Sequence, residues 1–80
     1  MENRVAIVAI MIENPESIAK VNDILHEYAD YIVGRMGLPH KERKINIISV
    51  VVDASHDTIS ALSGKLGRIV GVGSQTLYSK

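Results

Sequence analysis

The sequence predicts an α+β domain of the ferredoxin-like βαββαβ type, a four-stranded antiparallel sheet with two helices on one face. The main observation is an internal repeat. Residues 4–13 (RVAIVAIMIE) are echoed by residues 44–53 (KINIISVVVD), and each copy reads as a basic residue, an apolar strand, an acidic residue and a helical pattern. Two such units in one short chain are expected to share a sheet, with the first and third strands at its centre.

The composition is that of one folded domain, which we expect to span residues 1–80. Apolar residues make up 46% of the chain, nine Lys and Arg balance nine Asp and Glu, and there is no cysteine. The lack of cysteine excludes disulfides, thiolate metal ligands and cysteine nucleophiles. The balanced charge argues against a nucleic-acid or anionic-membrane binder. The apolar run Val5–Ile12 is too short to span a membrane, so a cytoplasmic location is the expectation.

The first half of the chain predicts a strand, a helix and a second strand. The strand Val5–Ile12 ends before Asn14-Pro15, a preferred N-cap followed by the residue favoured in a first helical turn. A helix is expected from residue 15 to residue 28 or 30, because apolar residues fall on one side of a helical wheel. A second strand is predicted over residues 30–37, and residues 38–43 are expected to form a charged connection.

The second half predicts the same order of elements. A largely β-branched strand, residues 44–53, leads to Ser55, a favoured N-cap for a helix that ends near Leu66. Gly67 is the expected C-terminal stop of that helix, in the left-handed conformation. The closing segment, residues 69–78, is predicted as a fourth strand interrupted by glycines.

Both central strands are apolar on both faces, although a sheet with helices on one side usually alternates apolar and polar residues. In residues 5–12 every side chain is apolar, and residues 45–52 are nearly so. Exposing about six large side chains on the uncovered face is worth on the order of 9–12 kcal/mol. We therefore expect another subunit to cover that face, so that the protein is a homo-oligomer, either a dimer or a tetramer.

No motif predicts catalysis or a bound cofactor. The serines lie in no nucleophile-elbow context, and residues 34–37 and 71–74 match neither a P-loop nor a dinucleotide fingerprint. The commonest meaning of such glycine-bearing segments is edge-strand irregularity. The functional alternative is that bare backbone at Gly34 and Gly37 lets a ligand approach, with Arg35 available for an anion. RNA recognition is set aside because the sequence has no Phe or Trp to stack bases.

The three histidines predict no closed metal site. His26 has Asp30 four residues later on the same helix and Asn22 four residues earlier, which permits a weak chelate, but a solvated polar face is the commoner meaning of this pattern. His40 and His56 are single surface candidates. A metal-sensing module with interfacial ligands from His26, His40 or His56 remains the alternative function, one with no DNA-binding domain of its own.

Four segments of the chain carry a resemblance to a known family: His26–Pro39, Ile47–Ala54, Ile59–Gly67 and Tyr78–Lys80. In these segments the chain resembles the iron-only hydrogenase system regulators. That family is grouped with ACT-like domains and with the C-terminal domain of nickel-responsive regulators. The resemblance implies a ferredoxin-like fold and oligomer formation, and its functional label implies a hydrogenase context without a mechanism.

Comparison with nickel-responsive regulators and ACT domains limits the functions that this resemblance implies. Nickel-responsive regulators bind metal through several His and a Cys on their strands and carry a ribbon-helix-helix segment, and these 80 residues match neither feature. ACT domains bind small effectors near the loop after the first strand, here Glu13–Glu16, although the glycine that commonly follows the proline is absent. The resemblance therefore implies a non-enzymatic ACT-like regulatory module that binds a small effector or a partner protein without direct nucleic-acid contact. Its candidate ligand-binding residues are Asn14, Gly34, Arg35 and Gly37.

Overall fold

A computed structural model describes residues 2–80 and shows the order βαββαβ, with two short 3-10 turns flanking the first helix. The strands are β1 (Asn3–Ile12), β2 (Ile32–His40), β3 (Ile45–Ser55) and β4 (Val72–Tyr78), and the helices are α1 (Ile18–Glu27) and α2 (His56–Gly67). The antiparallel sheet has the order β2-β3-β1-β4, so β1 and β3 lie at its centre. The ferredoxin-like fold predicted from the internal repeat is confirmed.

Both predicted N-cap side chains accept a backbone hydrogen bond, but the first helix is shorter than expected and does not begin at its predicted cap. Asn14 Oδ1 accepts a 3.1 Å hydrogen bond from the Glu16 amide, and this cap starts the 3-10 turn Pro15–Ser17 rather than α1 itself. A second 3-10 turn, Ala29–Tyr31, replaces the expected last helical residues and the start of the predicted second strand. At α2, Ser55 Oγ accepts a 3.2 Å hydrogen bond from the Thr58 amide, as its N-cap position predicts. The left-handed stop predicted at Gly67 is wrong, because Gly67 is the last residue of α2 and the chain stays right-handed through the C-cap Arg68.

The edge strands differ from the prediction at their ends. Residues 38–40 continue β2 instead of belonging to a charged connection, because Pro39 lies in an edge strand, where a missing N–H is tolerated. At the other edge β4 begins at Val72 rather than at residue 69. Gly71 precedes it with φ +75°, a left-handed conformation that breaks the strand.

The core lies between the helices and one face of the sheet. Alternate residues of β1 and β3 point toward the helices, and the helices contribute their apolar stripes. The buried apolar side chains are Ala6, Val8, Ile10, Ile12, Val21, Leu25, Ile48, Val50, Val52, Ala54, Ile59, Leu62 and Leu66. No helix or strand of the described residues covers the opposite face of the sheet.

Candidate functional site

A groove runs between α1 and the edge strand β2 on the helix-bearing side of the sheet. It forms because β2 lies beyond the cover of the helices, and every residue of β2 after Ile32 is exposed. Two cavities of about 270 and 260 Å³ lie along this groove. Asn22 and Arg35 line both of them, so these two side chains stand where the cavities meet.

A β-bulge determines which side of the sheet Arg35 occupies. Ile32 pairs with Val52, but the pairing shifts so that Gly34 is opposite Val51 and Arg35 opposite Val50. Since Val50 points to the buried helix side, its neighbour Arg35 stands on that side as well. Without the extra residue in β2, the alternation would place Arg35 on the uncovered face.

The guanidinium of Arg35 is held in the groove by a neutral partner. Its Nη2 donates a 2.7 Å hydrogen bond to Oδ1 of Asn22 on α1. Within residues 2–80 the ion pairs are His56 with Asp57 and Lys65 with Glu27, so Arg35 has no carboxylate partner there. A guanidinium has five N–H donors in a planar fork that matches a carboxylate. The charge of Arg35 is therefore positioned and still free to bind an anion.

The other walls of the groove combine further polar groups with an apolar floor. His26 lines one cavity, and Asn46 lines the other. The apolar lining includes Ile12, Ile18 and Ile48. Among the described lining residues there is no carboxylate, hydroxyl or thiol, and so no nucleophile of those three kinds and no carboxylic general acid. The arrangement is suited to binding a small anion with an apolar portion.

The four candidate residues from the sequence do not form one cluster. Arg35 and Gly37 line the same cavity. Gly34 lies on the opposite face of the sheet, because the bulge places it beside Val51. Asn14 lies at the start of the turn after β1, where a Cβ added to Gly71 would lie 2.7 Å from the Cβ of Asn14. A groove site therefore uses Arg35 and Gly37, without Gly34 or Asn14.

Sequence reasoning missed the pairing of Asn22 with Arg35 and the presence of Asn46. Asn22 lies at the boundary between the apolar and polar sides of α1, which is a weak signal because many surface residues share it. Asn46 is a polar residue in an otherwise apolar strand, and that contrast is the one sequence signal that could have drawn attention to it.

The three histidines lie in three different places. His26 lines the groove, His40 lies at the end of β2, and His56 stacks on Tyr78 with 5.4 Å between the ring centroids. In the described part of the chain no three His, Asp or Glu side chains are grouped closely enough to hold a metal ion. None of the helices in residues 2–80 combines the length and the apolar character needed to cross a bilayer.

The fold and the groove are those of a small ferredoxin-like α+β domain with a ligand-sized cleft beside its first helix. The sequence profile of the TM1266-like family, described as "Iron-only hydrogenase system regulator, putative", matches residues 4–76, and the chain belongs to this family. The resemblance noted from the sequence is thereby confirmed.

A solved structure shows the same fold in a relative. The uncharacterized protein TM1266 from Thermotoga maritima is 39% identical to this chain, with a TM-score of 0.95. The match covers 99% of this chain and 100% of that one. No curated protein sequence matches this chain.

Proposed function

We propose that this chain is a non-enzymatic regulatory module that binds a small carboxylate effector in the groove between α1 and β2, and that it regulates an iron-only hydrogenase system. The description of its family supplies the regulatory role and the hydrogenase context. The main observation in favour of a carboxylate effector is the guanidinium of Arg35. It is fixed by Asn22 and has no carboxylate partner among the described residues.

The size and chemistry of the groove favour a small metabolite. Each cavity has a volume of about 260–270 Å³, which is just below the range of volumes typical of pockets for drug-sized ligands. Arg35 supplies a bidentate donor, and the amides of Asn22 and Asn46 supply a donor and an acceptor each. The isoleucines of the floor suit a short carbon chain. A compound with one or two carboxylates and a few carbons matches all of these features.

A bound carboxylate would act on the edge strand β2. Arg35 belongs to β2 and Asn22 to α1, so a ligand that bonds both side chains ties the strand to the helix. The exposed residues of β2 form one border of the sheet, where a protein partner has access to them. A ligand can shift β2 from one arrangement to another only if it binds one of the two arrangements more tightly than the other.

The proposed absence of catalysis is supported by the contents of the groove. General acid–base and nucleophilic catalysis need a positioned pair of reactive groups. Besides Arg35, His26 is the one ionisable side chain of the described lining, and no hydroxyl, thiol or carboxylate accompanies it there.

Calorimetric titration of the purified protein with acetate, succinate, citrate and L-glutamate tests this proposal. We expect saturable binding of at least one of them. Arg35→Met should weaken that binding by about 10- to 100-fold, the loss of a charge-assisted hydrogen-bond pair. Arg43→Met, which removes the same charge from the turn after β2, is the matched control and should change it less than about twofold. Equal losses in both variants, or no binding at all, would contradict the proposal.

A further inference from the structure

The side of the sheet that faces away from the helices carries a continuous apolar surface, here called the open face. Alternation along the strands assigns its members. They are Val5, Ile7, Ala9 and Met11 from β1, Gly34, Met36 and Leu38 from β2, Ile45, Ile47, Ser49 and Val51 from β3, and Gly73, Gln75 and Leu77 from β4. Met36 and Leu77 are each 70% exposed and Leu38 is 58% exposed.

We propose that a second copy of this chain packs on the open face, sheet against sheet, with a two-fold axis that runs across the strands. The area is sufficient for a stable dimer. Four strands about 4.8 Å apart and about seven residues long give a flat footprint of roughly 450 Å². The side chains that stand on it add accessible area, so two copies bury on the order of 1,000 Å² or more, which is what a specific interface needs.

The strand register arranges the open face in three rows across the sheet. The first row is Leu77, Ile7, Val51 and Gly34, the middle row is Gln75, Ala9, Ser49 and Met36, and the third row is Gly73, Met11, Ile47 and Leu38. A two-fold axis above the middle row exchanges the first row with the third.

This exchange sets large residues opposite small ones. Leu77 comes to lie over the partner's Gly73, and Leu38 over the partner's Gly34. Both glycines have open space where a Cβ would be. Beside Gly73 that space widens into a hollow of about 310 Å³, with Ala9 and Met11 among its walls. The open face is thus complementary in shape to a second copy of itself, as a two-fold interface requires.

Charge selects the direction of the axis. An axis along the strands also sets leucines over glycines, but it brings the two turns between β2 and β3 together. Each of these turns carries Lys41, Arg43 and Lys44 against Glu42. An axis across the strands separates the turns and directs each one toward the partner's Asp53, which lies beside Val5 at the far end of the open face. Because like charges brought together oppose association, the axis across the strands is favoured.

The mass of the untagged protein in solution tests the interface, independently of any effector. Sedimentation equilibrium at micromolar concentration should give at least twice the 8.7 kDa of one chain. Leu38→Lys combined with Leu77→Lys should raise the dissociation constant at least 100-fold, with an unchanged circular dichroism spectrum. Val70→Lys alters an equally apolar side chain, 75% exposed in the loop before β4, and should have no effect.

A second variant keeps the test decisive if the double variant fails to fold. Gly73→Leu adds a side chain where the partner's Leu77 is expected and nothing within the chain obstructs it. It should therefore dissociate the dimer while the monomer stays folded. A monomeric wild-type protein, or a dimer that survives both variants, would overturn the proposal.

The direction of the axis is tested by a distance between spin labels. The chain has no cysteine, so Glu42→Cys labels the turn uniquely. About six residues of strand separate this turn from the middle row, and the axis doubles that length to about 40 Å between the two labels. A label pair closer than about 20 Å would mean that the two turns meet and would overturn the proposed direction.

Discussion

The guanidinium of Arg35 donates a 2.7 Å hydrogen bond to Oδ1 of Asn22, and this bond links the edge strand β2 to helix α1 across the groove. The two residues come from elements that are adjacent in sequence but separated by a 3-10 turn. The bond positions a cation without neutralising it. A carboxylate in place of the Asn22 amide is expected to neutralise this cation.

Asn22→Asp should stabilise the fold slightly and weaken carboxylate binding. The new carboxylate pairs with Arg35 at the surface, which is worth about 0–1 kcal/mol of unfolding free energy. It also competes with the effector for the guanidinium and should lower the affinity for the best-bound carboxylate at least tenfold. Urea unfolding and calorimetric titration measure the two effects. Ser60→Asp, which adds the same charge on α2, is the control and should leave binding unchanged.

Gly71→Ala should destabilise the fold by about 2–4 kcal/mol. Gly71 has φ +75°, and an added Cβ would lie 2.7 Å from the Cβ of Asn14. The strained backbone alone is worth about 1–3 kcal/mol, and the contact adds to it. Chemical denaturation measures the loss. Gly67→Ala, at the end of α2 and away from the open face, has open space for its Cβ and no positive φ, and it should not destabilise the fold.

Adding Asn14→Gly to Gly71→Ala separates the two contributions. Asn14→Gly removes the Cβ that the new methyl group contacts, and it should recover part of the lost stability relative to Asn14→Gly alone. If the two losses are simply additive, the contact with the Asn14 Cβ contributes nothing, and the loss comes from backbone strain and from the 3.1 Å approach to the Asn14 backbone nitrogen.

Thr76→Val should leave stability unchanged or raise it by about 1 kcal/mol. Among the described residues, Thr76 Oγ1 is buried with no hydrogen-bond partner, and an unsatisfied buried hydroxyl is unfavourable. The neighbouring Ser74 is a contrasting control. Its hydroxyl contacts Ser63 Oγ at 3.2 Å and donates to the Ser63 carbonyl oxygen at 3.3 Å, so Ser74→Ala should cost about 1 kcal/mol. A loss of stability in Thr76→Val would show that its hydroxyl has a partner.

Lys65 should stabilise the contact between the two helices only below alkaline pH. Its Nζ donates a 2.9 Å hydrogen bond to Glu27 Oε1 and lies 5.1 Å from the ring centre of Tyr28. The bond to Glu27, and then the interaction with Tyr28, raise the pKa of Lys65 above its ordinary 10.5. A raised pKa means that this stabilisation is fully present below pH 10.5 and is lost as the pH rises through the raised value.

Thermal unfolding of Lys65→Met across pH 8 to 12 measures this effect. The difference in melting temperature between the wild type and the variant should be constant up to about pH 10 and should shrink above it. Lys20→Met removes an exposed lysine from α1 that has no such contact, and it should show no comparable change. A difference that grows with pH would contradict the assignment.

The fold was predictable because hydrophobic pattern and caps agree along the chain. The two-faced apolar strands, the N-caps at Asn14 and Ser55 and the stripe through Val21 and Leu25 all indicate one sheet with two helices above it. The continuation of β2 through Pro39 was not predictable, since proline is tolerated there only because β2 lies at an edge.

The groove was predictable only in part. Arg35 is a visible candidate in the sequence, but its direction depends on the bulge after Ile32, and one extra residue reverses the alternation of the strand. No local pattern reveals such a bulge. The same shift places Gly34 on the open face, apart from Arg35. The tertiary pairing with Asn22 depends on where α1 packs against the sheet, which no local sequence pattern specifies.

The most direct test of the central claim, that the groove binds a carboxylate beside Arg35, is a nuclear magnetic resonance titration with succinate that includes side-chain resonances. We expect saturable chemical-shift changes in the Arg35 Nε–Hε and Asn22 side-chain amide signals, together with changes in the backbone signals of residues 34–38. Shift changes confined to the basic turn at residues 41–44, or no shift changes at any succinate concentration, would contradict the claim that the groove binds a carboxylate.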